Sequence, residues 1–186
     1  MKSQKHWLVV ALFFLMSGNL AGAAALPDSL KIGDTPLLLN GSGARTKYLM
    51  EMYVGGLYLK QPNTNPVAIL AADELMAIRL QITSGLVSQE KMVAAINEGF
   101  QNSTGGQTAA IEAEIQKFRL CFRDKIVKGD VFDIVYTPGK GVLVVKNGKL
   151  QGVVPGLAFK QAVFGIWLSD RPADSNLRVA MLQGRK

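Results

Sequence analysis

Residues 39–60, LNGSGARTKYLMEMYVGGLYLK, are the stretch that decides the fold of this chain. From Arg45 to Lys60 the stretch is rich in aromatic and aliphatic residues, which favours one strand of about 12–15 residues or a hairpin pair. The segment Asn40 to Gly43 before it is typical of a flexible turn. The pair Gly55–Gly56 indicates a β-bulge or a place where another backbone comes close.

Arg45 and Tyr53 are the candidate binding residues of this stretch. They have the same parity, so on one continuous strand their side chains lie on one face. Lys47 and Glu51 share that parity, which indicates a polar, cleft-like side. Arg45 is either a solvated arginine at a strand end or a planar donor at an apolar cleft, suited to a carboxylate or phenolate. Tyr53 either assists in holding such an anion or packs its ring with its hydroxyl in water.

The rest of the chain predicts an α+β domain. Residues 75–83 alternate apolar and polar as in a half-buried strand, and Ser88 is a helix N-cap followed by an apolar stripe. Asn147–Gly148 predicts a two-residue hairpin turn. The remaining predictions are helices at 108–118, 157–168 and from 175, with strands at 132–136, 142–145 and up to 154. This order favours an antiparallel sheet with helices packed on one face.

Residues 1–25 have the pattern of an export signal. Lys2 and Lys5 precede the apolar run WLVVALFFLM at 7–16, and small residues follow in an A-x-A arrangement. A membrane-spanning helix needs roughly 20 apolar residues, so this run is too short to be one. We expect a signal peptide at 1–25, one domain at 26–186 with no integral membrane segment, and a periplasmic location, with secretion as the second choice.

Residue usage excludes several classes of site. His6 is the only histidine and lies in the predicted signal, while Cys121 is the only cysteine. A Ser-His-Asp triad, a Cys-His pair, a histidine or cysteine-cluster metal site and an internal disulfide are therefore excluded. The formal charge is +7, and without the two lysines of the predicted signal it is 19 − 14 = +5. This excess is spread thinly over positions such as Lys117 and Lys160, which predicts a mildly basic solvated surface. No nucleic-acid partner, metal or cofactor is expected.

Two stretches resemble the chalcone isomerase superfamily, in particular its bacterial exported chalcone isomerase-like branch. Residues 39–60 are similar to the family's Gly-rich turn, arginine and strand ending in a small residue and an apolar-Tyr-Leu triplet. Residues 159–174, FKQAVFGIWLSDRPAD, resemble its late helix and following turn. The helix at 88–100 falls where the family has its first cleft helix. The resemblance implies an open-faced β-sandwich with a ligand cleft between sheet and helices.

The same resemblance assigns roles to single residues. Arg45 matches the family's cleft arginine, and Tyr53 falls where the plant enzymes place a threonine. The tyrosine and asparagine that the enzymes carry on the first cleft helix are missing from 87–96, although Asn97 follows. A late-helix Ser or Thr of the enzymes falls near Ile166. Most of the enzymes' polar network is therefore absent.

We therefore predict a periplasmic, non-catalytic protein that binds a small apolar or aromatic carboxylate or phenolic ligand, such as a fatty acid or a flavonoid. Arg45 pairs with the head group and Tyr53 assists. The alternatives are an isomerase of the intramolecular lyase type and an interaction module for an envelope partner. A few of seven apolar residues are expected in the pocket wall and most in the core: Met50, Met52, Met76, Met92, Phe100, Phe164 and Trp167.

Overall fold

The computed structural model describes residues 26–185, so the predicted signal peptide lies outside the described residues. Its strands are β1 (Ser29–Ile32), β2 (Thr35–Lys47), β3 (Met50–Leu59), β4 (Met76–Ile82), β5 (Val131–Thr137), β6 (Gly141–Lys146) and β7 (Lys149–Val154). Its α-helices are α1 (Pro66–Ala71), α2 (Gln89–Ser103), α3 (Glu112–Leu120), α4 (Leu157–Leu168) and α5 (Ser175–Met181). Each strand pairs antiparallel with the next along the chain, which gives one seven-stranded sheet in the order β1 to β7.

The helices pack on one face of this sheet. The main core joins the inward side chains of β3 to β7 to α2, α3, α4 and α5, and includes edge-to-face and stacked pairs among Phe100, Phe118, Phe122, Phe132 and Phe159. The other face carries a smaller cluster formed by strand residues such as Leu37, Tyr58 and Val135. The predicted α+β class and open-faced arrangement are confirmed.

The predicted flexible turn at Asn40 to Gly43 is wrong, because β2 passes straight through it with a bulge. A Cβ at Gly41 would lie 2.0 Å from the carbonyl oxygen of Ala180, and a Cβ at Gly43 would lie 2.7 Å from the Cβ of Ala180. These glycines therefore let α5 approach the sheet. Gly55, opposite Gly43, meets only side-chain atoms of α5, and no register shift falls at Gly55–Gly56. The predicted bulge or backbone approach at this pair is therefore wrong, and the close backbone contact is at Gly41.

Residues 45–60 do not form one continuous strand. β2 ends at Lys47 and β3 begins at Met50, and Tyr48 and Leu49 make a two-residue turn with φ of 53° and 63°. Arg45 and Tyr53 are directly paired across this hairpin. Because paired residues of antiparallel strands point to one face, the two side chains share the helix-covered side for a different reason from the one predicted.

Helix α1 is absent from the elements predicted above, because Pro62 and Pro66 are residues that usually interrupt a helix or strand. Pro66 is in the first turn of α1, where a missing N–H costs nothing, and the Asn65 side chain accepts from the N–H groups of Val67 and Ala68 at 3.0 and 3.1 Å. Pro66 thus begins α1 and does not interrupt an element.

Lys160 is fully buried rather than part of the predicted solvated surface. Its Nζ donates to the carbonyl oxygens of Ile69, Leu70 and Ala72 at 2.7, 2.9 and 2.8 Å. The ammonium group therefore satisfies carbonyls at the C-terminal end of α1 that have no partner within that helix. This contact ties α4 to α1.

Burial lowers the pKa of Lys160 to about 8, against 10.5 for a free lysine side chain. Between these values the folded state binds fewer protons than the unfolded state, so this group makes stability rise with pH. We expect the free energy of unfolding of the wild type, relative to Lys160→Met, to increase by about 2 kcal/mol between pH 7.5 and pH 10. Urea unfolding of both proteins at pH 7.5 and pH 10 measures this increase. If the wild type and Lys160→Met differ in unfolding free energy by the same amount at both pH values, the lowered pKa of Lys160 is contradicted.

Candidate functional site

A cavity of about 480 Å³ lies between the β2–β3 hairpin, α2 and α4. This volume is within the range of roughly 300–1,000 Å³ that is usual for small-molecule sites. The strands and the 86–87 loop contribute Arg45, Lys47, Tyr48, Met50, Met52, Tyr53, Leu80, Leu86 and Val87. The helices and the turn after α4 contribute Lys91, Met92, Ala94, Ala95, Ile96, Glu98, Ile166, Trp167 and Ala173.

Arg45 lines this cavity with an unpaired donor. Its guanidinium carbon lies 5.7 Å from the centre of the Tyr53 ring, which is cation–π distance. Its Nε is buried and has no hydrogen-bond partner among residues 26–185. None of the salt bridges in that part of the chain includes Arg45. A buried donor without an acceptor is costly, so this side chain is suited to an acceptor that enters the cavity.

Asp174 is engaged elsewhere. One of its carboxylate oxygens accepts from the N–H of Thr46 at 3.1 Å, and the other accepts from the N–H of Leu177 at 2.9 Å, which caps α5. These bonds hold α5 to the end of β2, next to Arg45. The positive charge of Arg45 is therefore left for a ligand.

Tyr53 is buried beside Arg45, with 5% of its surface exposed. Its hydroxyl accepts a hydrogen bond from Nε1 of Trp167 at 2.8 Å, which leaves its own proton free to donate. Burial raises the pKa of Tyr53 above 10.0, although the charge of Arg45 acts in the opposite direction. The hydroxyl is therefore neutral near pH 7 and adds a second donor close to Arg45.

The rest of the lining is mainly apolar and its charge is mainly positive. Arg45, Lys47 and Lys91 are its basic residues, and Glu98 is its acidic one. Leu80, Ile96 and the methionine side chains form much of the wall. This arrangement suits an amphiphile with a negative head and an apolar body.

Comparison with known proteins gives the family. The sequence profile described as chalcone isomerase-like matches residues 19–183. The chain belongs to the chalcone isomerase-like family. A solved fatty-acid binding protein of Arabidopsis thaliana is similar to it, with a TM-score of 0.67 and 23% sequence identity, over 85% of this chain and 91% of that one. No curated protein sequence gives a significant match.

The similarity to the Arabidopsis protein agrees with the chalcone isomerase-like sheet and helices described above. The predicted family is thus confirmed, while its bacterial exported branch stays a prediction. No helix within residues 26–185 has both the length and the apolar character needed to cross a membrane. That part of the chain also has no group of three or more acidic, Cys or His side chains placed to hold a metal ion.

The structure places Arg45 and Tyr53 side by side, and it divides the seven apolar residues predicted for the pocket wall or core between these two places. Met50, Met52, Met92 and Trp167 line the cavity, whereas Met76, Phe100 and Phe164 belong to the core. Glu51 does not line the cavity and pairs with Thr46, so its predicted place beside Arg45 is wrong. Lys91 and the bond between Trp167 and Tyr53 were not predicted, because both depend on how α2 and α4 pack on the hairpin.

The positions where chalcone isomerase enzymes carry polar groups are different here. Asn97 does not line the cavity, and its side-chain oxygen accepts from Arg119 at 3.1 Å. Ile166 presents an apolar side chain to the cavity. Cys121 is buried, which raises the pKa of its thiol. Asn97 and Ile166 thus offer no polar group to the cavity.

Proposed function

We propose that this protein is an exported, periplasmic, non-catalytic binding protein for a small anionic amphiphile. The ligand is a fatty acid or an aromatic carboxylate or phenolate. Its head group binds to Arg45 with help from Tyr53, and its apolar body lies along the wall formed by Leu80, Met92 and Ile96. The pattern of residues 1–25 supports the periplasmic location.

The observation that carries this proposal is the buried Nε of the half-buried Arg45 side chain, beside an open cavity. Its Nε has no acceptor within the described residues, and Asp174 bonds to backbone N–H groups instead. An arginine fork binds a carboxylate through two parallel hydrogen bonds. A carboxylate in the cavity would thus satisfy a donor that the fold leaves open.

The choice of an aliphatic or aromatic acid rests on the wall and on the family. The wall is apolar and rich in methionine, whose flexible side chains adapt to ligands of different shape. The Arabidopsis protein of the same fold is a fatty-acid binding protein. This favours a fatty acid as the first ligand to test here.

A non-catalytic role rests on the small number of polar groups that face the cavity. Isomerisation of a chalcone-like substrate requires groups that polarise a carbonyl and move a proton. Arg45 and Tyr53 are the polar pair available to one head group. From α2 the lining takes four apolar side chains, and its charged residues Lys91 and Glu98 are exposed. A role as an interaction module has less support, because the protein's own side chains leave the cavity open.

The test compares palmitate with hexadecanol, which has the same chain without the charge. Trp167 is the only tryptophan after residue 25, and its fluorescence reports on the cavity. We expect palmitate to bind at least about ten-fold more tightly, because a hydrogen bond to a charged group contributes about 1.5–3 kcal/mol. Isothermal titration calorimetry gives both affinities. Equal affinities, or no binding of palmitate and of phenolic acids, would overturn the proposal.

A further inference from the structure

The tip of the β2–β3 hairpin projects apolar side chains into solvent at the mouth of the cavity. Tyr48 is 82% exposed and Leu49 is 99% exposed, while Met50 and Leu86 beside them are 46% and 43% exposed. Tyr48, Met50 and Leu86 also line the cavity, so the exposed group is continuous with its interior. The hairpin tip is defined here as Lys47 to Met50.

The backbone of this tip is unfavourable for the residues it carries. Tyr48 and Leu49 both have positive φ, 53° and 63°. The two-residue turn between β6 and β7 uses Asn147 and Gly148 at φ of 49° and 78°, residues that accept this conformation readily. Two large apolar residues in a left-handed turn strain the chain without adding to the core. Such strain points to a role outside folding.

The charge beside the tip is positive. Lys47 and Lys91 are exposed and line the mouth, and Arg45 lies behind them. Glu98 is the one acidic residue of the lining, against three basic ones, and the exposed Glu51 and Glu90 lie outside the lining. Apolar side chains at the end of a loop, flanked by lysines, match the boundary between the acyl chains and the headgroups of an anionic bilayer.

The size of the tip argues against a protein partner. A stable interface between proteins buries about 800 Å² on each side, whereas a hairpin tip of four residues is a small convex point. A bilayer needs no complementary pocket, and a few inserted side chains are enough for reversible contact. The lipid surface is therefore the occupant that fits.

We propose that the hairpin tip docks on the surface of an anionic lipid bilayer, with Tyr48 and Leu49 inserted and Lys47 and Lys91 on the headgroups. This inference rests on the proposed function, and it adds the source or destination of the ligand. Docking turns the cavity mouth to the membrane, so an amphiphile passes between bilayer and cavity without crossing bulk water.

The test uses the chain beginning at Leu26, which contains every strand and helix described above, and the double variant Tyr48→Asn/Leu49→Gly. This variant copies the Asn147–Gly148 turn between β6 and β7, so we expect its unfolding midpoint to be equal or higher. Co-sedimentation uses vesicles of phosphatidylglycerol with phosphatidylcholine, and vesicles of phosphatidylcholine alone. Leu120→Asn is the matched control, since Leu120 is an apolar side chain 63% exposed at the end of α3.

We expect the wild type and Leu120→Asn to bind the anionic vesicles, and the double variant to bind at least about ten-fold more weakly. Palmitate binding in solution should be unchanged in Leu120→Asn and in the single variant Leu49→Gly, because neither side chain lines the cavity. Leu49→Gly should still bind the anionic vesicles more weakly than the wild type. Equal vesicle binding by the double variant, equal binding to neutral vesicles, or a dimer that the double variant dissociates would overturn the docking proposal. If the vesicles bind but palmitate does not, the proposed function fails instead.

Discussion

Gly41→Ala is expected to destabilise the protein by about 3 kcal/mol, because its Cβ would lie 2.0 Å from the carbonyl oxygen of Ala180. The neighbouring atoms belong to backbone, which cannot turn aside as a flexible side chain does. Asn40 adds to this contact, since its amide donates to the carbonyl of Met181 at 2.8 Å. Relief of the clash therefore requires α5 to move off the sheet.

Movement of α5 would expose Leu177 and Met181, which are 1% and 0% exposed. It would also disturb Asp174, which holds the start of α5 to β2 beside Arg45. Urea unfolding measures the loss of stability, and a weaker affinity for palmitate should accompany it. Gly85→Ala is the matched control, because a Cβ there meets no atom within 4 Å. Equal unfolding midpoints for the two variants would show that α5 does not require a glycine at 41.

Arg45→Gln is expected to weaken palmitate binding by about ten- to a hundred-fold and to leave hexadecanol binding almost unchanged. Glutamine keeps a polar group of smaller size but removes the positive charge and the two-pronged geometry. The free protein should lose little stability, because the buried Nε has no partner to lose within residues 26–185. Arg45→Gln should thus lose affinity for palmitate while its free energy of unfolding stays close to that of the wild type.

Calorimetry with both ligands checks this expectation. Arg123→Gln is the control, since its side chain is 72% exposed and lies outside the cavity lining. Arg45→Lys should fall between the wild type and Arg45→Gln, because it keeps the charge without the planar fork. A parallel loss for palmitate and hexadecanol would mean that Arg45 shapes the cavity and does not bind the head group.

Features with a local cause were predictable from the sequence. Ser88 caps α2, the alternation at 76–82 gives β4, and Asn147–Gly148 makes the turn between β6 and β7. In each case the responsible residues lie within one element or turn. The order of these elements was enough to give the fold class.

Features with a distant cause were not predictable. Gly41 was interpreted as part of a turn. The contact that requires a glycine there is with Ala180 of α5, which lies far along the chain. Lys160 was predicted to lie on the solvated surface. Its acceptors are carbonyls at the end of α1, which are distant in sequence. Arg45 and Tyr53 were predicted to share a face, but the reason is cross-strand pairing. The free donor on Arg45 became visible only in three dimensions.

A crystal structure of the protein with bound palmitate tests the central claim most directly. The account predicts the carboxylate within about 3 Å of the Arg45 guanidinium nitrogens, near the Tyr53 hydroxyl, with the acyl chain along Leu80, Met92 and Ile96. A carboxylate held at Lys47 or Lys91 with the acyl chain against Arg45, or a cavity that stays empty at saturating palmitate, would contradict it.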